Sequence, residues 1–237
     1  ANLKRLTLEL GGNDAAIVMP DVNVEEIAPV LFWGAFANSS QFCIAIKRLY
    51  VHEAIYDRLS AALVKIANQT VMGAGNADGS ELGPIQNRLQ FDRLKALLAD
   101  SKAQGHQFLV GGEVKQSKGF FFPITLVDNP AEDSRIVREE PFGPILPLLK
   151  FKDADEVIER ANNSEYGLGG SVWCNDEALA LSIANRLQTG TVWVNEIHSI
   201  APNKPMAGHK QSGIGVENGM YGLLEYTAPK TITLKRQ

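Results

Sequence analysis

The chain has 237 residues, of which 45% are hydrophobic and 21% are charged, and its formal net charge at pH 7 is −4. This size suits one large or two small globular domains with a proper core. The 23 basic and 27 acidic residues form no block of one sign, which argues against nucleic acid or an anionic membrane as a partner. No apolar run approaches the ~18 residues of a membrane span, and the first residues do not form a signal peptide.

The sequence contains two cysteines, Cys43 and Cys174. Two are too few for a disulfide framework in a chain of this length, so we expect a reducing, cytoplasmic compartment. The four histidines lack the spacing of metal ligands, and we predict no metal site.

The chain begins with a strand pattern. Positions 6–10 alternate apolar and polar residues and then meet Gly11 and Gly12. The pattern predicts a strand that ends in a tight turn, with Glu9 on the face opposite the leucines. The abrupt start inside a strand pattern indicates that the chain is part of something longer.

A helix, a polar turn and a buried strand follow. Asn23, with a glutamate three residues later, opens an amphipathic helix. This helix runs into the polar turn that carries Cys43, and positions 47–51 read as a strand. Further helices are predicted over 55–66 and from Pro84 onward, because proline suits a first helical position.

The second half continues the alternation of short strands and helices. The predicted strands are 108–110, 124–127, 145–149, 170–173 and 191–195, and the predicted helices are 153–161 and 175–187. Pro147 marks its strand as an edge or irregular one. Such alternation predicts an α/β architecture with a largely parallel sheet. Residues 196–222 read as a long functional loop, and 230–234 as an exposed strand that needs a partner edge.

The dinucleotide-binding pattern G-x-G-x-x-G is missing. The two candidates, which begin at Gly73 and Gly213, both lack the third glycine. Either the protein does not use a dinucleotide, or the domain that binds it lies upstream of Ala1.

Cys43 is the candidate nucleophile. An arbitrary free cysteine is more often a small buried hydrophobe, but Cys43 lies at a helix–strand junction, where a thiol can face a cleft. Glu9 offers a base for a reactive thiol, and the two together favour a catalytic site.

Several motifs occur in a characteristic order. They are Leu8-Glu9-Leu10-Gly11-Gly12, Gln41-Phe42-Cys43-Ile44-Ala45 and Glu139-Glu140-Pro141-Phe142-Gly143-Pro144, with further matches at 165–168, 190–195, 210–215 and 225–227. Together they resemble the catalytic half of the NAD(P)-dependent aldehyde dehydrogenase superfamily over nearly the whole chain. The resemblance implies a three-layer, Rossmann-like catalytic domain over 13–228, linked by 1–12 to an absent N-terminal coenzyme domain and followed by an oligomerisation strand at 229–237.

The resemblance also implies a mechanism and its residues. Cys43 would attack an aldehyde to give a thiohemiacetal, and loss of hydride to NAD or NADP would leave a thioester. Glu9 would activate the water that hydrolyses this thioester. Glu140 would bind the nicotinamide ribose hydroxyls, and Phe142 would pack beside the nicotinamide ring.

Other positions carry weaker implications. Asn195 would steady the catalytic loop and Glu225 would relay protons, both without contacting the substrate. His198 would influence substrate specificity. Two positions depart from the family pattern. Ser40 replaces a glycine that tolerates unusual dihedral angles, and Lys47 replaces a small residue, where its cation could lower the thiol pKa or point to solvent.

The expected partners are a small aldehyde and further copies of the chain, as a dimer or tetramer, without nucleic acid or membrane. The isolated fragment is expected to bind NAD or NADP weakly or not at all. Two alternatives stay open: a self-standing cysteine esterase or thioesterase with Glu9 as base, and a non-catalytic scaffold domain of the same fold.

Overall fold

A computed structural model describes residues 3–236, so Ala1, Asn2 and Gln237 lie outside the described residues. Seven strands form the central sheet: β2 (Asp14–Val18), β3 (Ile46–His52), β4 (Gln107–Val110), β5 (Thr125–Asp128), β6 (Ile145–Phe151), β8 (Gly169–Trp173) and β9 (Thr191–Val194). Their order is β4-β5-β6-β3-β2-β8-β9. All neighbours pair in parallel except β4, which runs antiparallel to β5. The predicted α/β fold with a largely parallel sheet is confirmed.

Helices cover both faces of this sheet. They are α1 (Val24–Phe36), α2 (Glu53–Gln69), α3 (Arg88–Ala103), α4 (Arg135–Arg138), α5 (Ala154–Asn162), α6 (Glu177–Arg186) and α7 (Gly219–Glu225). The apolar sides of α1 and α2 share one core cluster with one sheet face. Those of α3, α5 and α6 share the other cluster with the opposite face. The molecule therefore has the three layers that the sequence predicts, and no helix in residues 3–236 is long and apolar enough to cross a membrane.

Side-chain caps set where the helices begin. The Asn23 side chain accepts a hydrogen bond from the Glu25 amide at 3.2 Å and opens α1 as predicted. The helix predicted from Pro84 instead begins at Arg88, because the Asn87 side chain accepts from the Gln90 amide at 2.9 Å. The side-chain cap of Asn87 therefore determines the start of α3 more strongly than the preference of proline for a first helical turn.

Strand β6 is central and pairs with both neighbours without a register shift, so the prediction that Pro147 makes it an edge or irregular strand is wrong. The strand lies between β5 and β3. Its pairing with β3 begins at Leu148, one residue after the proline. Because that ladder starts beyond Pro147, its missing N–H removes no pairing position on the β3 side.

Four short strands form two small antiparallel pairs beside the main sheet. The strand β1 (Leu8–Glu9) pairs with β11 (Gly213–Ile214), and β7 (Tyr166–Gly167) pairs with β10 (His209–Lys210). Glu9 is half-buried and lies opposite the leucines as predicted, whereas Leu6, Leu8 and Leu10 are exposed.

The C-terminal residues 227–236 form no strand within the single chain, so the strand predicted for 230–234, which needs a partner edge, stays a prediction. Ile232 and Leu234 are 80% and 83% exposed. A strand needs a neighbouring edge for its N–H and C=O groups, and none within residues 3–236 pairs with this segment.

Candidate active site

The predicted catalytic residues converge at the amino ends of three adjacent strands. Gly11 and Gly12 come just before β2, Cys43 comes before β3, and Glu140 comes before β6. Because β6, β3 and β2 are parallel neighbours, their amino ends meet along one edge of the sheet. Three segments far apart in sequence are thereby placed together, and β1 with Glu9 leads directly into the first of them.

The turn before the nucleophile has unusual backbone geometry. Asn38, Ser39 and Ser40 all have positive φ, at 51°, 54° and 60°. A non-glycine residue in the left-handed region costs roughly 1–2 kcal/mol. Ser40 therefore adopts a conformation that glycine tolerates at a lower cost.

Hydrogen bonds to the loop before α3 hold this turn. The Ser39 hydroxyl donates to the Gly83 carbonyl at 2.7 Å. The Gln41 side chain donates to the Pro84 carbonyl at 3.3 Å and accepts from the Gln86 amide at 2.8 Å. Bonds between segments over forty residues apart compensate for the backbone strain of the turn.

Cys43 is half-buried at the end of this turn. Burial raises the pKa of its thiol above the ordinary value, and the nearby Asp14 carboxylate adds to this rise. The Lys47 ammonium and the backbone N–H groups of Cys43 and Ile44 act in the opposite direction. The thiol therefore has stabilising groups for its anion, but burial outweighs them in the chain as described.

Lys47 is fully buried, which excludes the solvent-facing orientation. Its ammonium donates to the carbonyls of Phe42 and Cys43, at 3.1 and 2.5 Å, and lies 3.2 Å from a carboxylate oxygen of Glu140. A buried ammonium needs such partners, because removing a charge from water is costly.

Glu140 points inward, whereas its neighbour Glu139 lies at the surface. Glu139 pairs with the Arg135 side chain one helical turn earlier. The Glu140 carboxylate accepts from the Gly12 amide at 3.1 Å through the oxygen that also contacts Lys47. The Glu140 side chain is 11% exposed, so it is a nearly buried carboxylate held from one side, as a ligand for hydroxyl groups requires.

Phe142 lies two residues on, with a positive φ of 48°. The Gln90 side chain donates to the carbonyls of Pro141 and Phe142, at 2.6 and 3.2 Å, and so fixes this bend. The ring is half-buried, which leaves an apolar surface beside Glu140.

Glu9 faces a second carboxylate that sequence reasoning missed. Burial raises the pKa of Glu9, and the charge of Glu217 raises it further. Glu9 lies opposite Gly213 in the β1–β11 pair, four residues before Glu217. That pairing joins residues more than two hundred positions apart in the sequence. The only sequence signal near Glu217 is therefore the motif at 210–215 that precedes it.

The structure does not place Glu225 beside Glu9. Its carboxylate lies 4.0 Å from the Arg5 guanidinium, at the exposed end of α7. Glu217, not Glu225, is the carboxylate whose charge reaches the predicted base.

Asn195 lies at the opposite end of the sheet. Its side chain accepts from the Cys174 amide at 2.9 Å and donates to the Cys174 carbonyl at 2.8 Å, which ties the ends of β8 and β9 together. His198 makes the contact with the nucleophile loop that was predicted for Asn195. Its Nε2 lies 2.8 Å from the Ile44 carbonyl, and its ring packs edge-on against Phe42.

Gly12 is a close-packed position in the site. A Cβ there would lie 2.8 Å from the Cys43 carbonyl oxygen and 2.9 Å from a carboxylate oxygen of Asp14. Asp14 is buried, and burial raises its pKa to about 6 against the opposing charges of Lys47 and Arg48. One of its oxygens accepts from the Gly169 amide at 3.1 Å, while the other is buried without a partner.

Within residues 3–236, no group of three or more His, Cys, Asp or Glu side chains is arranged to hold a metal ion.

Fold and site together define an α/β domain with a half-buried thiol and a nearly buried carboxylate at the amino ends of its strands. The family model for "Aldehyde dehydrogenase family" matches residues 1–232. The chain belongs to the aldehyde dehydrogenase family.

Relatives and solved structures agree with this assignment. The chain is 41% identical to aldehyde dehydrogenase 1A1 of Gallus gallus, across 99% of the chain and 46% of that protein. It is 40% identical to a mitochondrial aldehyde dehydrogenase of Leishmania tarentolae, across 98% of the chain and 46% of that protein. The NAD+ complex of a Bacillus cereus aldehyde dehydrogenase superposes with a TM-score of 0.91 at 40% identity, covering 95% of the chain and 46% of that structure. The chain thus spans about half the length of the relatives it matches.

Proposed function

We propose that the protein containing this chain oxidises an aldehyde to a carboxylic acid with NAD or NADP, and that this chain is its catalytic portion. The observation that carries the proposal is the meeting of the Cys43 turn, Gly12 and Glu140 at one sheet edge, with Gly12 three residues after Glu9, in a chain that belongs to this family. A non-catalytic scaffold would not need a buried Lys47–Glu140 pair beside an accessible thiol.

The residues fit the nicotinamide end of the coenzyme. Glu140 is a nearly buried carboxylate that can accept ribose hydroxyls, and Phe142 offers a flat apolar wall. When bound, the coenzyme accepts the hydride that leaves the substrate carbon.

Cys43 then forms and breaks the bonds to substrate. The thiolate sulfur bonds to the aldehyde carbon, and the carbonyl oxygen becomes an oxyanion next to the Cys43 N–H. Departure of hydride, with its two electrons, leaves a thioester on the sulfur. Water adds to this thioester, its proton passes to Glu9, and the carbon–sulfur bond breaks to release the acid.

The raised pKa of Glu9 suits this role. A base works best with a pKa near the working pH, and burial together with Glu217 shifts Glu9 in that direction.

The exposed apolar residues support an assembly with the rest of the protein and with further copies. Leu6 and Leu8 of the first segment, with Met220, Tyr221 and Leu223 of α7, are all exposed. We propose that the coenzyme domain and a second subunit cover them, in a dimer or tetramer. The two free thiols support a reducing, cytoplasmic compartment.

The test compares residues 1–237 with the full-length protein. We expect aldehyde oxidation only in the full-length protein, because this chain contacts only the nicotinamide end. The isolated chain should bind NAD in the roughly millimolar range, which corresponds to about −4 kcal/mol. Calorimetric titration and coenzyme absorbance measure the two quantities. Micromolar binding with turnover by the isolated chain would show that it is a complete enzyme, and ester hydrolysis without aldehyde oxidation by the full-length protein would favour a cysteine hydrolase.

A further inference from the structure

Lys47 is a buried cation that the proposed reaction does not use. Its side chain is 0% exposed and lies between the nucleophile turn and Glu140. An ammonium has three N–H donors, and Lys47 has three acceptors within reach: two successive backbone carbonyls and one carboxylate oxygen. All its donors are engaged, so the amine is not available to react with substrate.

The two carbonyls belong to the peptide units on either side of Cys43. The Phe42 carbonyl shares a peptide unit with the Cys43 N–H, and the Cys43 carbonyl shares one with the Ile44 N–H. In a trans peptide the C=O and N–H bonds point in opposite directions. The Lys47 ammonium binds the negative, carbonyl ends of these two peptide dipoles. Their positive, N–H ends are the groups that stabilise the Cys43 thiolate.

We propose that Lys47 is a positioning residue: it holds the two peptide units around Cys43 with their N–H groups toward the sulfur and joins them to Glu140. This proposal rests on the proposed roles of Cys43 and Glu140. It adds a direct link between them, because the carboxylate that would receive the ribose shares a cation with the nucleophile turn.

Several charged or titratable groups surround this turn. Asp14 from the start of β2 opposes thiolate formation, and Lys47 favours it. Glu140 reaches the turn through Lys47. His198 contacts the Ile44 carbonyl from the loop after β9. Because Lys47 is the cation among these groups, removing its charge should leave the thiolate facing carboxylates and a histidine.

The experiment measures alkylation of Cys43 by iodoacetamide against pH, without coenzyme, in the full-length protein. Peptide mass spectrometry follows Cys43, with buried Cys174 as internal reference. Lys47→Met should slow labelling at pH 7 by about three- to tenfold, since one pKa unit changes the thiolate fraction tenfold. Lys95→Met, which removes an exposed lysine of α3, is the matched control and should leave the profile unchanged.

Glu140 provides the second arm. With Lys47 present, Glu140→Gln removes the competing carboxylate and should speed Cys43 labelling by about threefold, equivalent to half a pKa unit. In the Lys47→Met background the same change should have almost no effect, because the link between the two residues is gone. Equal effects in both backgrounds would overturn the proposal, as would an unchanged profile in Lys47→Met.

Lys47→Gln separates charge from hydrogen bonding and serves if Lys47→Met does not fold. It keeps two N–H donors for the carbonyls but lacks the charge, so labelling should still slow. Unfolding of both variants, while Lys95→Met folds, would show that Lys47 serves stability alone and would overturn the proposal. Alkylation does not require aldehyde oxidation, so an inactive protein that passes these tests would refute the proposed function and not this link.

Discussion

The two ends of the central sheet each carry one cysteine, and the two thiols differ in burial and in hydrogen-bond partners. At the carboxyl end, Cys174 is fully buried, and the Asp21 carboxylate accepts from both its thiol and the Asp176 amide, at 3.5 and 2.9 Å. At the amino end, Cys43 is half-buried, and the neighbouring carboxylates and cation bond to the backbone around it. At the carboxyl end the cysteine thiol is hydrogen-bonded to a carboxylate. At the amino end the polar groups bond to the backbone, and the half-buried thiol stays accessible.

The contrast reverses the usual location of sites in such sheets. Ligands of open α/β folds generally bind outside the carboxyl ends of the strands. Here Asn195 closes that end by bonding both the amide and the carbonyl of Cys174. Burial raises the pKa of the Cys174 thiol to about 11, which keeps it protonated at neutral pH and chemically inert.

Replacing each cysteine by alanine is the strongest test of this contrast. In the full-length protein, Cys43→Ala should reduce aldehyde oxidation by about 10⁴-fold or more, because the covalent adduct cannot form. Cys174→Ala should keep most of the activity and lose only some stability from a small cavity. Steady-state rates with thermal unfolding measure both, and equal losses of activity would remove the distinction between the two ends.

Glu9→Gln is expected to have the next largest effect. Turnover should fall by roughly 10²–10⁴-fold, the usual contribution of a general base. A rapid burst of reduced coenzyme should survive, since Glu9 acts only after hydride has left. Stopped-flow absorbance separates the two phases. Glu225→Gln is the control and should leave both phases nearly unchanged, because Glu225 pairs with Arg5; loss of the burst in Glu9→Gln would mean that Glu9 acts earlier.

The carboxylates of the two ends also differ, because Asp14 is buried and Asp21 is exposed, and Asp14→Asn tests this. The folded pKa of Asp14 is about 6, above its ordinary 3.8, so the folded state binds more protons between these values. Its contribution to stability is therefore lost as pH rises from about 4 to 6. Relative to wild type, Asp14→Asn should gain up to about 3 kcal/mol over that range.

Denaturant unfolding at pH 4.5 and 7.5 should show about 2 kcal/mol of this difference, because Asp14 of the unfolded chain is already mostly ionised at pH 4.5. Asp57→Asn, at a side chain 97% exposed, should show no such change with pH. If the stability difference between Asp14→Asn and wild type did not change with pH, burial would not raise the pKa of Asp14.

The smallest expected effect concerns the close packing of the amino end. Gly12→Ala would force its new methyl group against the Cys43 carbonyl and Asp14, at a cost of about 1–3 kcal/mol. Aldehyde oxidation should fall with stability, since the Cys43 peptide must move. Gly75→Ala meets no atom within 4 Å and should be neutral in both measurements. Similar behaviour of the two variants would mean that the turn tolerates displacement.

Local sequence determined a large part of this structure. Apolar patterns predicted six of the seven strands of the central sheet but not β2. Asn23, Asp153 and the pair Asn175 and Asp176 marked helix starts that the structure confirms. These features depend on residues within one turn or one strand of each other, where spacing alone decides which side chains share a face. The ordered motifs identified the family for the same reason, since each is a short run of adjacent residues.

Only the tertiary structure decided which side chains meet. The resemblance singled out Glu140, but neither its burial beside the exposed Glu139 nor the burial of Lys47 could be read from the sequence, because these outcomes depend on which strands are neighbours. The sequence also did not point to Glu217, since the β1–β11 pairing that brings Glu217 toward Glu9 joins segments two hundred residues apart. A charged side chain is buried only where distant groups supply its partners, and the order of strands in the sheet determines where those partners lie.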